Sequence, residues 1–249
     1  MSHIKFLTFF FFFFLIVSCD DFEVVPIHLD TYLKLYTQDK GQVMSAVQNS
    51  LFDDITKYIN YGVSLYTITY NTTYKGENIK ASGLVAFPET THNVPILNFN
   101  HGTTSLHRDA PTEDLFQYSF FSNAASAGYI FVIPDYLGFG VSDDILHPYY
   151  RSDITGLTIV DMLKATKELA EIEGYNFNGN VFLSGYSEGG FATMSAHKTL
   201  EENNSYGLNL VASAPAAGGY DMTGMLNYFL SLSTYHQPYY LAYVAISYK

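Results

Sequence analysis

The stretch that decides the fold is Val181-Phe-Leu-Ser-Gly-Tyr-Ser-Glu-Gly-Gly190. An apolar run meets a segment in which Gly185 and Gly189 stand two positions either side of Ser187, and helix-like sequence follows. This pattern predicts a strand, a sharp turn and a helix, with Ser187 at the apex. Glycines are needed because the serine backbone in such a turn is strained and its neighbours are crowded. The turn holds the serine hydroxyl clear of the sheet beside a helix N-terminus, which indicates a nucleophile.

Two further blocks precede this stretch, and each reads as a buried strand with a motif at its end. They are Pro95-Ile-Leu-Asn-Phe-Asn-His-Gly-Thr-Thr104 and Tyr129-Ile-Phe-Val-Ile-Pro-Asp-Tyr-Leu-Gly-Phe-Gly140. With the serine segment they resemble the HG-T, PDY-x-G-x-G and GYS-x-GG blocks of the α/β-hydrolase superfamily, in the same order. The match is closest to the secreted lipase/esterase branch and extends from about Tyr61 to Tyr220.

The order of elements favours an α/β fold. From Pro95 onward strands and helices alternate, which predicts a mostly parallel sheet with helices on both faces and a site at the carboxyl ends of its strands. Before that, the patterns predict an antiparallel pair, Tyr61–Tyr74 and Ile79–Phe87, joined around Gly76. Helices are expected at 42–59, 112–127, 155–172 and 189–200, and the last strand of the sheet at 208–214.

The chain divides into four predicted segments. Residues 1–19 form a lipoprotein signal peptide, 20–38 a tether, 39–220 the N-terminal part of the hydrolase core, and 221–249 the start of a helical cap. Because the final segment is apolar with no stop signal, we expect the chain to be truncated and to lack the last strands of the fold.

The N-terminus predicts export and lipid anchoring. Lys5 is followed by an apolar run, Phe6–Val17, which is too short to span a bilayer and has the length of a signal-peptide core. The run ends in Leu15-Ile-Val-Ser-Cys19, which resembles the bacterial lipobox. We expect acylation of Cys19, the single cysteine, to anchor the protein to a bacterial membrane in the cell envelope.

The resemblance implies a role for each residue of the site. Ser187 is the acyl nucleophile, and the backbone N–H groups of Glu188 and Thr103 (or Thr104) form the oxyanion hole. His101 shapes its loop rather than acting as the base, because the base follows the serine in this superfamily. Gly102, Gly185 and Gly189 shape the same turns.

The acid and the base are harder to place. In the superfamily an Asp or Glu and then a His follow the serine, and here only His197 and His236 do so. His197 lies about three turns along the helix after Ser187, too far to reach it. Asp221 and His236 are a weak candidate pair, and we expect the true acid and base to lie beyond residue 249.

Charge and motifs narrow the range of possible functions. The chain of 249 residues is 48% apolar and carries a net charge of −12, without a Lys/Arg cluster, so nucleic acid is not an expected partner. No motif predicts a metal site or a cofactor. The expected function is hydrolysis of carboxylic esters, with small acyl esters or lipids as substrates. A serine peptidase of the same fold and an inactive lipoprotein that binds apolar ligands remain alternatives.

Overall fold

The computed structural model describes residues 27–48, 53–203 and 206–249. The predicted signal peptide and Cys19 lie outside these ranges. Within them, seven strands form one sheet and six α-helices surround it. The strands are β1 (Leu29–Gln38), β2 (Val63–Tyr74), β3 (Glu77–Pro88), β4 (Val94–Asn100), β5 (Ile130–Pro134), β6 (Phe177–Tyr186) and β7 (Asn209–Ala216). The helices are α1 (Lys40–Gln48), α2 (Leu115–Ser122), α3 (Ser152–Glu173), α4 (Glu188–Glu202), α5 (Met222–Ser231) and α6 (Tyr239–Ser247).

The sheet is mixed, in the order β1-β2-β3-β5-β4-β6-β7. The β5–β4, β4–β6 and β6–β7 pairs are parallel, as the alternation of strands and helices predicted. The other three pairs are antiparallel, so the parallel arrangement is confined to one half of the sheet. This parallel half brings the carboxyl ends of β4, β5 and β6 to one edge, where the three sequence motifs meet.

The predicted antiparallel pair is confirmed as β2 and β3. Tyr74 pairs with Glu77, which leaves a two-residue turn at Lys75 and Gly76. Both turn residues have positive φ, 51° and 83°, as the tight turns favoured in hairpins require.

The predicted tether, 20–38, is wrong for its second half, because β1 occupies Leu29–Gln38 and joins the sheet. As an edge strand it pairs only with β2 and is largely exposed, so its sequence lacks the apolar alternation of a buried strand. Its start is fixed to α3: the Glu168 carboxylate accepts hydrogen bonds from the backbone N–H groups of Ile27, His28 and Leu29 at 2.7–3.1 Å.

Helices cover both faces of the sheet. One core contains buried residues of α3 and α4 packed on alternate positions of β2, such as Tyr66, Ile68 and Tyr70. The other core packs α1 and α2 against the opposite positions, including Leu65 and Leu84. This arrangement is the layered architecture expected for a sheet that is apolar on both faces.

Two helices differ in extent from the prediction. The predicted helix 42–59 overlaps α1, described over Lys40–Gln48, and a separate 3₁₀ helix, Asp53–Tyr58, with residues 49–52 outside the described ranges. α2 begins at Leu115 because the Asp114 side chain caps it by accepting a hydrogen bond from the Gln117 N–H.

The expected cap segment contains α5 and α6. Within the described ranges, no helix combines the length and the hydropathy needed to cross a bilayer.

Candidate active site

Ser187 occupies the turn between β6 and α4, as predicted. Tyr186 ends the strand, Glu188 begins the helix, and Ser187 has φ 60° and ψ −122°. A non-glycine residue in this conformation is strained by about 1–3 kcal/mol and persists only where its surroundings hold it. Here the Ser187 N–H donates to the Ala216 carbonyl at 2.9 Å, and its own carbonyl accepts from Gly190 and Phe191 at 2.9 and 3.2 Å.

The flanking glycines are required by close backbone contacts. A Cβ on Gly185 would lie 2.2 Å from the Gly189 carbonyl oxygen, and one on Gly190 would lie 2.3 Å from the Ala216 carbonyl oxygen. Real Cβ atoms essentially never approach that closely. The pattern read from the sequence therefore has a steric cause, which is the tight approach of α4 to the ends of β6 and β7.

The loop after β4 lies beside the serine. A Cβ on Gly102 would stand 3.9 Å from the Ser187 Cβ, in ordinary contact. Thr103 follows, and it lines the same cavities as Ser187. The two residues named as oxyanion donors, Thr103 and Glu188, thus belong to the two backbone segments that adjoin Ser187.

His101 is buried and turned into its own loop. Its Nδ1 lies 2.8 Å from the Gly102 carbonyl oxygen, which can only accept, so Nδ1 carries a proton. Burial lowers the pKa of His101 and favours the neutral ring. The His101 carbonyl accepts from the Tyr136 hydroxyl at 2.9 Å, and the two rings are 4.3 Å apart.

Two cavities meet at Ser187. The larger, of about 750 Å³, has a mainly apolar lining that includes Tyr150, Met222, Met225, Phe229, Leu241 and Val244. The smaller, of about 370 Å³, is lined by the β4 and α2 side, including Phe99, Gln117, Tyr118 and Phe121. Thr103, Ser187 and Tyr240 line both. An elongated molecule could therefore extend to both sides of the serine.

Asp221 and His236, the candidate acid and base, are not hydrogen-bonded to each other among the residues that the structure describes. Asp221 is the N-cap of α5 and accepts from the Gly224 N–H at 2.8 Å. His236 is an exposed residue between α5 and α6. His197 is bonded to Ser213 at 2.8 Å and to Glu201 at 3.1 Å. No hydrogen bond joins Ser187 to a histidine among the described residues.

Sequence reasoning missed a buried pair beside the nucleophile. His147 Nε2 lies 2.6 Å from Glu188 Oε1, and both side chains are about 95% buried, with exposures of 4% and 5%. The other ring nitrogen, Nδ1, lies 2.6 Å from the Leu137 carbonyl oxygen. His147 belongs to the sequence His-Pro-Tyr in the loop after the PDY block, and nothing in that sequence indicates a contact with Glu188.

The aspartate of the PDY block is buried and hydrogen-bonded to two other parts of the chain. Buried Asp135 accepts from the Thr112 N–H and hydroxyl at 2.9 and 2.6 Å and from the Ser82 hydroxyl at 2.5 Å. Burial raises the pKa of Asp135, although these hydrogen bonds oppose the shift. Asp135 therefore ties β3 and the 110–114 segment to the end of β5.

Metal-ligating residues do not cluster in the described ranges: no group of three or more His, Cys, Asp or Glu is placed to hold an ion.

Comparisons with known proteins agree with this geometry. The family model for secretory lipases matches residues 114–227. A presumed hydrolase from Legionella pneumophila is 32% identical, with a TM-score of 0.79 over 89% of this chain and 60% of its own. The rice cell wall degrading esterase LipA from Xanthomonas oryzae is 28% identical, with a TM-score of 0.70 over 80% of this chain and 52% of its own.

A more distant structure, Candida antarctica lipase A, shares the fold at 18% identity, with a TM-score of 0.51 over 74% of this chain and 40% of its own. No curated protein matches the sequence. The chain spans about half to three-fifths of the length of the Xanthomonas and Legionella structures. The sheet topology and these similarities show that the chain has the α/β-hydrolase fold and is lipase- and esterase-like.

Proposed function

We propose that this protein is a serine hydrolase of carboxylic esters, with Ser187 as the acyl nucleophile. The observation that carries the proposal is the position of Ser187, which stands in a strained turn at the junction of two cavities, with the Gly102–Thr103 backbone beside it. The similarity to esterase and lipase structures supports the same reaction class.

The proposed reaction has two stages. Ser187 Oγ gives its proton to a base and attacks the ester carbonyl carbon, and the resulting oxyanion accepts hydrogen bonds from the N–H groups of Glu188 and Thr103. The tetrahedral intermediate collapses, the alcohol leaves with the proton, and an acyl-enzyme remains. Water then repeats the sequence at the acyl carbon and releases the acid.

The base and its acid are left unassigned. Asp221 and His236 stay the candidate pair from the sequence, although Asp221 caps α5 and both are exposed. The expectation that the acid and base lie beyond residue 249 also stays a prediction. It is tested by Asp221→Ala and His236→Ala, which should leave the turnover of the protein unchanged if the acid and base lie elsewhere.

The cavities support an ester with one large apolar part. The larger cavity is lined mostly by aromatic, thioether and aliphatic side chains, which favour apolar groups over charged ones. We therefore propose lipid or other apolar acyl esters as substrates.

The test is hydrolysis of p-nitrophenyl esters by the purified protein. Ser187→Ala should lower kcat by roughly 10⁴-fold or more. Ser195→Ala is the matched control, because the Ser195 hydroxyl, on α4, donates to the Phe191 carbonyl and Ser195 lines neither cavity. Unchanged turnover in Ser187→Ala would overturn the proposal.

Two parallel measurements separate the alternatives. Faster hydrolysis of aminoacyl anilides than of esters would favour a peptidase. A protein that binds fatty acids but leaves a fluorophosphonate probe unreacted at Ser187 would be the inactive binding protein.

We also propose that the protein is exported and anchored through Cys19. The similarity to secretory lipases supports export, and the Leu15–Cys19 sequence supports acylation. Cys19→Ala should move the protein from the membrane fraction to the soluble fraction, and continued membrane retention would contradict anchoring.

A further inference from the structure

The loop that follows the PDY block contacts both residues assigned to the oxyanion hole. His147 is paired with the Glu188 carboxylate at 2.6 Å. Two residues later, the Tyr149 hydroxyl is hydrogen-bonded to Thr103 Oγ1 at 2.9 Å. One short segment therefore holds the side chains of two residues that come from different strand ends, β6 and β4.

Both ring nitrogens of His147 have a partner, and this fixes the orientation of the ring towards Glu188. Nδ1 donates to the Leu137 carbonyl, so Nε2 faces the Glu188 carboxyl group. The pairing holds the side chain of Glu188, the first residue of α4, in one orientation.

The surroundings leave this pair little room to move. The rings of Tyr136, Phe139, Tyr149 and Tyr243 stand 5.1–6.0 Å from the His147 ring. Behind it, a Cβ on Gly138 would lie 2.6 Å from the His147 Cα.

The contact at Thr103 is equally enclosed. Burial raises the pKa of Tyr149, so its hydroxyl keeps its proton and remains a hydrogen-bonding partner. The backbone of the same residue is held from α6, since the Tyr149 carbonyl accepts from the Ser247 hydroxyl at 2.6 Å.

We propose that His147 and Tyr149 are positioning residues that together set the spacing of the two oxyanion donors, the N–H groups of Glu188 and Thr103. This inference rests on the proposed function, because it assumes that those two N–H groups bind the oxyanion. Neither His147 nor Tyr149 takes part in proton transfer. Their effect is on the geometry that is needed only when the carbonyl oxygen becomes charged.

Glu188→Ala and Tyr149→Phe test the proposal in the purified protein. Each removes one of the two contacts, and Tyr149→Phe keeps the ring and its packing. A donor displaced by a fraction of an ångström should lower kcat about tenfold to a hundredfold, with KM within about twofold. Glu188→Gln should stay closer to the wild type than Glu188→Ala, because its side-chain amide N–H can donate to His147 Nε2.

Active-site titration distinguishes positioning from simple stability. A p-nitrophenyl phosphonate releases one p-nitrophenolate for each reactive serine, so kcat can be expressed per titrated site. Positioning predicts a lower kcat per site. A smaller titrated fraction with unchanged kcat per site would mean that the contacts only stabilise the fold, and it would overturn the proposal, as would a change confined to KM.

Two control variants each remove a side-chain hydrogen bond at a position outside the site. His197→Gln removes a hydrogen-bonded histidine from α4, and Tyr175→Phe removes a hydroxyl bonded to Glu89. Both should keep the wild-type kcat per site. A wild-type protein without Ser187-dependent turnover would overturn the proposed function, whereas an active wild type with unaffected Glu188 and Tyr149 variants would overturn the positioning role alone.

Discussion

Gly189 and Asn100 approach so closely that a Cβ on Gly189 would lie 1.9 Å from the Asn100 carbonyl oxygen and 2.7 Å from that of His101. Gly189 is in the first turn of α4, and Asn100 is the last residue of β4. This contact brings the serine turn and the His101 loop together, because both flank the place where helix and strand meet.

Gly189→Ala should therefore lower the free energy of unfolding by about 3 kcal/mol or more, because the overlap is with backbone atoms that cannot turn aside. Gly174→Ala is the control. Its φ of 75° is strained for alanine, but nothing lies within 4 Å of the added Cβ. That variant should lose only about 1–2 kcal/mol, the strain of the left-handed conformation. Equal losses in urea unfolding would contradict the role assigned to the contact.

Ser187→Gly should be more stable than Ser187→Ala by about 1 kcal/mol, because glycine adopts φ 60° without the strain of a Cβ. Both variants lack the hydroxyl, so the comparison isolates the backbone conformation. If urea unfolding ranks alanine equal to or above glycine, the turn is not strained at Ser187.

Asp135→Asn should destabilise the protein by about 1–3 kcal/mol, because the carboxylate accepts hydrogen bonds from three donors and an amide group would present N–H groups to one of them. Asp109→Asn, at a half-buried site where the side chain is 48% exposed, should change stability little. Thermal unfolding of the two variants is the measurement, and a tolerated Asp135→Asn would count against the network.

His101 should contribute to a loss of stability in weak acid. Burial lowers its folded-state pKa below the ordinary value of 6.5, so the unfolded chain takes up a proton more readily than the folded protein. The contribution is fully present above pH 6.5 and is lost as the pH falls through the lowered value. The loss in free energy of unfolding between about pH 7.5 and about pH 5.5 should be smaller in His101→Asn than in the wild type. An identical loss in both proteins would show that His101 does not titrate differently on folding.

Tyr240→Ala should relax the choice of ester, because Tyr240 lines both cavities at Ser187. We expect kcat/KM for p-nitrophenyl pivalate to rise about tenfold relative to the acetate, as discrimination by pocket shape weakens. Tyr228→Ala, on an exposed face of α5 and outside both cavities, should leave the ratio unchanged. A ratio that does not move in Tyr240→Ala would show that this side chain does not restrict the shape of the acyl group.

The parts of the site that follow from local sterics were predictable from the sequence. Ser187 and its glycines form a pattern because a tight turn needs small neighbours at fixed positions, and the structure places them accordingly. The pairing of His147 with Glu188 was not predictable, since it depends on how a loop between β5 and α3 folds back over α4. β1 was missed for another reason: it is an edge strand with half of its residues exposed, so its sequence carries little of the apolar pattern of a buried strand.

The order of strands in the sheet also has a consequence for the folding pathway. In the antiparallel half, Tyr74 pairs with Glu77, and closing so short a loop is fast and costs little entropy. In the parallel half, Leu97 of β4 pairs with Phe182 of β6, and the two residues are far apart in the sequence. Such non-local pairings are the slow ones. We expect the hairpin to form early and the serine turn to be among the last features to reach its final geometry. A chain still folding would then carry the hydroxyl of Ser187 without the conformation that makes it reactive.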